Sequence, residues 1–479
     1  MTEYMHSKIK NAIRRLTPRI VLDGYHRALA FLGAAWYRFP SRHLIIIGVT
    51  GTKGKTSTVY LIAKILEHAG YAVGVISGLE ARIGKTVTPR TAKITMPGRF
   101  FIQRHLRQMV DAACTHVIIE VTSEGIEQHR HRNIDFDIAV FTNIAPEHLE
   151  AHGSFNAYLA AKQKLFAALA ASRRIKTIKG KRVTSAKTII VNGDDDHADD
   201  FLAFPADRRY ACHIGLEEKD DAEVTPAEHV RAVLLDVGEA ASVFSVQDIP
   251  FRLHVPGTFN VMNSLLATTV GRAEGISLRE SVAALEAVKS IPGRMEDVST
   301  GGRYRVIVDY AHTPQSLEAV YRTLRSSQVS PFGPASRRLI CVLGAAGGGR
   351  DRWKRPVLGA IAGTWCDEVI VTNEDPYDED PSLIMEQVSE GVRNAAQVYR
   401  RHMGTTVMPR SDGAQVPFPV IIDDRRAAIR EALLHARLGD TVVITGKGSE
   451  QAMAVASGTY LPWDDRRVVR EELAKLGTA

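Results

Sequence analysis

The feature that most constrains this chain is a glycine-bearing turn set between an apolar strand and a helix. LIIIGV (44–49) is a short uncharged run of the kind a strand buried on both faces shows. It leads directly into Gly48-Val49-Thr50-Gly51-Thr52-Lys53-Gly54-Lys55-Thr56. Strand, glycine-rich turn and helix in that order make a phosphate loop. The glycines let the backbone wrap phosphate oxygens, and the N–H groups opening the helix add partial positive charge. Lys55 suits the β and γ phosphates of a nucleotide, and the Thr56 hydroxyl suits Mg²⁺. Val49 stands where the strict GxxxxGK[ST] spacing needs glycine, so the motif is the narrower GTxGKT form.

The same alternation of strand, loop and helix recurs along the chain. HVIIEV (116–121), DIAVFTN (137–143) and KTIIVN (187–192) read as further buried strands, and residues 222–256 alternate as an antiparallel flank would. After Pro292–Gly293 the pattern restarts with YRVIVDY (304–310), RLICVLG (338–344), DEVIVTN (367–373), FPVIIDD (418–424) and DTVVITG (440–446). The expected fold class is therefore α/β. A central domain over 44–293 carries a mostly parallel phosphate-loop sheet with an antiparallel flank, and a Rossmann-like domain over 294–479 follows. A length of 479 residues suits two or three such domains.

Residues 1–43 read as a short basic helical arm. Ile9, Ile13, Leu16 and Ile20 recur at helical spacing among Lys8, Lys10, Arg14, Arg15, Arg19 and Arg27. Such an arm fits packing on the next domain, and it also fits peripheral contact with a membrane surface. No apolar run is long enough for a transmembrane helix, and the first residues lack the order of a secretory signal. Four dispersed cysteines make no CxxC pair, which points to a reducing cytoplasm. The net charge of +7 is mild for the length, and no nucleic-acid-reading motif accompanies it. No GxGxxG with a following acid supports dehydrogenase chemistry.

Glu120 ends one strand and His148 lies just past the end of another, where open α/β sheets bind ligands; both suit Mg²⁺. A lone Glu or His at a strand end is more often a capping or surface residue. Together the motifs GTKGKT, EVTSEGIEQHR (120–130), TNIAPEHLEAHG (142–153), AAKQKLF (160–166), PGTFNVMNSLLA (256–267), PGRME (292–296), DYAHTP (309–314), GGGRDRWKRP (347–356) and GKGSE (446–450) resemble, in order, those of the Mur ligases, and of their MurE-like branch. The resemblance covers about residues 44–479. It implies an ATP-dependent acid–amino-acid ligase of peptidoglycan precursor synthesis, cytoplasmic and monomeric. Its substrates would be a muramyl-dipeptide and a free amino acid, joined through an acyl phosphate.

The resemblance also implies roles. Gly51, Thr52, Lys53, Gly54, Lys55, Thr56 and Ser57 would hold ATP phosphates, and Thr56, Glu120 and His148 would hold Mg²⁺. Lys162 matches the family's carbamylated lysine, a cation turned into an anion by modification. Asn263, Arg294, Asp309 and His312 match residues around the nucleotide, Arg294 stabilising the transferring phosphoryl group. Thr95, Thr122, Ser123, Gln128 and Arg130 match muramyl-peptide contacts. Arg350, Asp375, Pro376, Tyr377, Gly446 and Glu450 match the amino-acid site.

Two departures stand out. Only 43 residues precede the first strand, where MurE enzymes carry an α/β domain for the uridine nucleotide. This leaves open a lipid-linked or other carboxylate acceptor, such as a polyglutamate-like polymer. The MurT-type amidating ligases also have short heads, but their zinc-binding cysteines are missing here. Diaminopimelate-adding members carry Asp-Asn-Pro-Arg, whereas Glu374-Asp375-Pro376-Tyr377 stands here, followed by Asp378-Glu379-Asp380. Tyr377 cannot make the bidentate pair an arginine makes with a distal carboxylate. Lysine, ornithine or another amino acid without that carboxylate is expected instead, with the acids favouring a cation; helix capping is the plainer reading of those acids. A non-catalytic nucleotide-binding subunit is opposed by the retention of Lys55, Glu120, His148 and Lys162.

Overall fold

The computed structural model describes residues 19–89, 95–147, 152–215, 226–238, 241–299, 301–326, 337–349, 351–403 and 416–477. Two compact units emerge. The first comprises residues 1–236, 242–253 and 258–288, and the second residues 237–241, 254–257 and 289–479.

The first unit opens with helix α1 (Arg19–Trp36) and is built on an eleven-stranded sheet. Its strands are β1 (Ile45–Thr50), β2 (Val73–Ile76), β3 (Glu80–Ile83), β4 (Thr86–Pro89), β5 (His116–Glu120) and β6 (Ile138–Phe141). After the small hairpin β7 (Ile175–Ile178) and β8 (Lys181–Thr184) come β9 (Thr188–Asn192), β10 (Arg208–Ile214), β11 (Glu228–Val237), β12 (Ser242–Val246) and β13 (Ile249–Leu253). The order is β13-β12-β11-β10-β9-β6-β1-β5-β2-β3-β4. The central strands pair in parallel and are buried along their length, which accounts for the near-continuous Ile and Val of β1, β5 and β6. The antiparallel flank expected over 222–256 begins later than that: β11 still runs parallel to β10, and β12–β13 turn antiparallel. A second antiparallel flank, β2–β3–β4, closes the opposite edge.

Helices cover this sheet: α2 (Lys55–His68), α3 (Arg99–Asp111), α4 (Ser123–Glu127), α5 (Phe155–Ala171), α6 (Ala198–Leu202), α7 (Thr258–Ala273) and α8 (Leu278–Glu286). Their starts follow local chemistry. Ser154 caps α5, and Ser277 with Glu280 forms a reciprocal capping box on α8. Asp137, buried at the entry to β6, accepts hydrogen bonds from the buried lysines Lys176 and Lys187 and so ties the β7–β8 hairpin to the sheet.

The second unit holds a six-stranded sheet, β14-β15-β19-β16-β17-β18, parallel except for β14. Its strands are β14 (Glu296–Asp297), β15 (Arg305–Val308), β16 (Leu339–Leu343), β17 (Glu368–Thr372), β18 (Val420–Ile422) and β19 (Thr441–Ile444); a separate hairpin, β20 (Ala452–Val455) and β21 (Thr459–Pro462), follows. Helices α9 (Pro314–Ser326), α10 (Lys354–Trp365), α11 (Pro381–Arg393), α12 (Ala395–Met403), α13 (Arg425–His435) and α14 (Asp465–Lys475) complete it. Among the described residues no helix is long and apolar enough to cross a membrane.

Candidate active site

In the first unit β6, β1 and β5 lie side by side, so their C-terminal ends present three loops to one place. The turn after β1 is the phosphate loop. Gly51 has φ 150° and Gly54 φ 79°. A Cβ on Gly51 would lie 2.0 Å from Thr142 Oγ1, and one on Gly54 2.4 Å from Asn263 Oδ1. Glycine is therefore required by contact as well as by conformation. The loop after β6 clamps it: Thr52 N donates to Asn143 O at 2.8 Å, Lys53 N to Asn143 Oδ1 at 2.9 Å, and Thr142 Oγ1 to Lys53 O at 2.5 Å. Asn263, on α7, accepts from Thr58 Oγ1 at 3.2 Å just behind the loop.

Three charged side chains converge here. Lys55 Nζ donates to Gly51 O at 3.0 Å and Thr52 O at 2.9 Å, folded over its own loop. Glu120 at the end of β5 is buried, and its Oε2 accepts from Thr56 Oγ1 at 3.0 Å and Gly78 N at 2.9 Å. Lys162, on α5, is 1% exposed. Its Nζ donates to Gly51 O at 2.7 Å and sits 4.4 Å from the Tyr158 ring centroid. Burial first, then repulsion from Lys55, holds this amine well below the usual lysine range, and Glu147 offsets only part of that. Glu147 itself pairs with Lys53 at 3.0 Å. Ser57 is buried in the first turn of α2. His148 lies outside the described residues.

The Thr56 hydroxyl and the Glu120 carboxylate are hard oxygen donors 3.0 Å apart, a pair that fits Mg²⁺. Among the described residues no group of three or more His, Cys, Asp or Glu could hold a metal. These two would thus supply part of a shell that phosphate oxygens and water complete, as Mg²⁺ ordinarily has it.

The loop after β5 brings the expected acceptor contacts together. Thr122 caps α4 by accepting from Gly125 N at 3.1 Å, and Ser123 Oγ lies 3.1 Å from His152 Nε2. Arg130 donates to Gln128 Oε1 at 2.7 Å and to Met96 O. Thr95 borders Gly78, the residue whose N–H reaches Glu120.

In the second unit Arg294 stacks 4.2 Å from the Tyr310 ring centroid. Asp309 accepts from Met295 N and Ala311 N, each at 2.7 Å, which fixes the turn carrying His312; His312 Nδ1 is 2.8 Å from Tyr310 O. Lys447 Nζ, fully buried, donates to Asp375 Oδ1 at 3.0 Å, Glu450 Oε2 at 2.6 Å and Ala452 O at 2.6 Å. Tyr310 OH donates to Glu450 Oε1 at 2.9 Å. Glu374 is buried against Gly446, where a Cβ would lie 2.3 Å from Glu374 Oε2, an oxygen without a hydrogen-bond partner among the described residues. Burial first, then Asp375, raises this carboxyl to about 7. Pro376 O closes on Gly347, and Tyr377 sits at φ 53° with its N–H on Ala454 O at 3.2 Å. Arg350 lies outside the described residues.

The acids after Tyr377 are already engaged. Asp378 Oδ1 accepts from Ser457 N at 2.8 Å, Glu379 pairs with Arg352 and Arg355, and Asp380 caps α11. The expectation that they attract a cationic substrate loses its ground, and the capping explanation holds for Asp380. The residues that pattern reading missed are Lys447, Glu374, Tyr310, Glu147 and Tyr158. The first four sat inside motifs already noted, and Tyr158 stands one helical turn before Lys162, a spacing that brings side chains together.

Comparison with known proteins agrees with this geometry. Residues 49–271 match the Mur ligase middle domain, and residues 293–448 match the Mur ligase, glutamate ligase domain. A UDP-N-acetylmuramyl-tripeptide synthetase of Roseiflexus sp. (strain RS-1) is 36% identical over 96% of this chain and 84% of its own. A UDP-N-acetylmuramoyl-L-alanyl-D-glutamate--2,6-diaminopimelate ligase of Caldanaerobacter subterraneus subsp. tengcongensis is 32% identical over 98% of this chain and 89% of its own. Among solved structures, a ligase of that same description superposes with TM-score 0.54 at 28% identity, covering 91% of this chain and 79% of that one. A phosphate loop braced by a buried lysine and carboxylate, on a sheet followed by a second α/β unit, defines an ATP-dependent amide-bond ligase. The chain belongs to the Mur ligase family.

Proposed function

We propose that this ligase adds the third amino acid to a UDP-N-acetylmuramoyl-dipeptide in the cytoplasm, with residues 44–293 as the nucleotide domain and 294–479 as the amino-acid domain. The observation that carries the reading is Lys162: a buried amine with no ion-pair partner among the described residues, hydrogen-bonded to the phosphate loop itself. A neutral buried amine is the form that takes up CO₂, and the resulting carbamate would bring an anion to the nucleotide site.

The chemistry follows from the side chains. The dipeptide carboxylate, oriented by the Thr122–Arg130 loop, attacks the γ-phosphate of ATP and gives an acyl phosphate and ADP. Lys55 offsets the charge that develops on the transferred phosphoryl oxygens. Thr56 and Glu120, with His148, would hold Mg²⁺, which would supply positive charge between the two anions. Arg294, with Asp309 and His312 beside it, contributes to the nucleotide end, and Asn263 supports the loop. The amine of the incoming amino acid, held by Glu450, Asp375 and Arg350, then attacks the acyl carbon and releases phosphate. Tyr377 offers no guanidinium to a distal carboxylate, so lysine, ornithine or a similar amino acid is favoured over diaminopimelate.

The test is ATP-dependent phosphate release with UDP-N-acetylmuramoyl-dipeptide, Mg²⁺, bicarbonate and single amino acids, with product mass recorded. A product heavier by one amino-acid residue is expected. ATP binding without turnover on this acceptor would overturn the assignment.

A further inference from the structure

Helix α1 has two unlike faces. On one, Ala30 and Ala34 are buried, and a Cβ on Gly33 would lie 3.6 Å from the Phe100 ring of α3, so the helix packs on the first unit. On the other, Val21, Tyr25, Leu32 and Trp36 are 57%, 57%, 54% and 78% exposed. Their spacing places them within an arc of about 60°, one continuous apolar stripe. A monomeric surface rarely leaves four large apolar side chains in line on one helix.

Charge indicates what covers it. Residues 1–43 contain eight Lys and Arg against two acids, Glu3 and Asp23, so they carry +6 of the chain's +7. A second copy would bring a segment of the same positive charge and be repelled. A nucleic acid would satisfy the charge and leave the stripe in water. A bilayer with anionic headgroups satisfies both at once: apolar side chains enter the headgroup boundary while Lys and Arg meet the phosphates. We propose that α1 docks the enzyme reversibly on an anionic membrane surface through Val21, Tyr25, Leu32 and Trp36. The helix is also joined to the acceptor loop, since Asp23 holds His129, whose Nδ1 accepts from Arg132 Nε at 3.1 Å. Docking there would keep residues 122–132 close to the bilayer.

The experiment is co-sedimentation of the full-length protein with phosphatidylcholine vesicles with and without phosphatidylglycerol. Binding is expected to the anionic vesicles alone, to weaken with salt, and to shift Trp36 emission to the blue. Leu32→Glu/Trp36→Glu should weaken it by at least about tenfold, while Leu438→Glu, at a side chain 76% exposed in the second unit, should leave it unchanged. Both variants are checked by melting and by solution turnover, which separates a failed docking surface from a failed ligase assignment. Equal sedimentation of the double variant would overturn the proposal, as would no binding by the wild type. So would a concentration-dependent dimer that the double variant abolishes, which would make a second copy the occupant.

Discussion

Two buried lysines, one in each unit, show how little burial alone decides. Lys162 and Lys447 are both almost inaccessible, at 1% and 0%. Lys162 hydrogen-bonds one backbone carbonyl and faces Lys55 and Lys53, so burial and like charge drive its affinity for a proton down. Burial also pulls on Lys447, yet Glu450 and Asp375 more than offset it and raise its pKa. The first is an amine held ready to lose its charge; the second is a fixed cation that ties residues 447–452 to Asp375. The first suits the carbamate proposed above, and the second stays a cation.

The sharpest way to break this contrast is to remove the first amine. Lys162→Ala should lower kcat by about 10³-fold or more, a loss of the size that follows removal of a charged group from a phosphoryl-transfer site. Lys162→Arg, permanently charged and unable to take up CO₂, should be no better. Lys162→Glu should recover part of the rate by restoring an anion. Phosphate release under saturating bicarbonate measures all three, and near-normal turnover of Lys162→Arg would end the carbamate argument.

Removing the second cation should act on folding. Lys447→Met leaves Asp375 and Glu450 buried without their partner, and breaking such a cluster costs about 3–5 kcal/mol. Denaturant unfolding should show it as a lowered midpoint. If Lys447→Met melted like the wild type while Lys162→Met did not, the roles assigned to the two lysines would have to be exchanged.

Glu374 refines the same comparison through pH. Its carboxyl is raised to about 7 from an ordinary 4.5. The folded state therefore holds the proton more tightly than the unfolded one. The stability this provides is complete below about pH 4.5 and is lost as the pH rises through 7. Glu374→Gln mimics the protonated form at every pH. It should gain on the order of 1–3 kcal/mol relative to wild type at pH 8 and little at pH 5. A pH-independent difference would show that Glu374 is ionised throughout.

Much of this was readable from sequence, for a physical reason. Buried parallel strands such as β1, β5 and β6 need apolar side chains on both faces, so they stand out as runs, and a phosphate loop requires glycines where backbones touch. Glu120 could be singled out by its place at a strand end, and Lys162 by the resemblance of its AAKQKLF stretch to the Mur ligases. What sequence did not show was partnership across distance. Lys447 meets Asp375 from 72 positions away, and the acids at 378–380 are spent on Ser457, Arg352, Arg355 and a helix cap. They looked available because local sequence lists acids without saying what they bond. The extent of β11's parallel pairing was hidden likewise, since alternation does not reveal strand direction.

That same engagement of the acids leads to the smallest expected effect. Around Lys447 both Asp375 and Glu450 are already held by its ammonium, so discrimination at the far end of the amino acid rests on what stands at position 377. The Tyr377 backbone lies at φ 53°, a conformation that costs an arginine no more than a tyrosine. Tyr377→Arg should therefore fold normally and present a guanidinium where the tyrosine ring now lies beside Gly348. A bidentate pair with a distal carboxylate is worth about 1–3 kcal/mol when partly shielded. The ratio of kcat/KM for diaminopimelate over lysine should then rise about tenfold or more, mainly through KM. If wild type already prefers diaminopimelate and Tyr377→Arg leaves the ratio unchanged, the distal carboxylate is read elsewhere in the second unit.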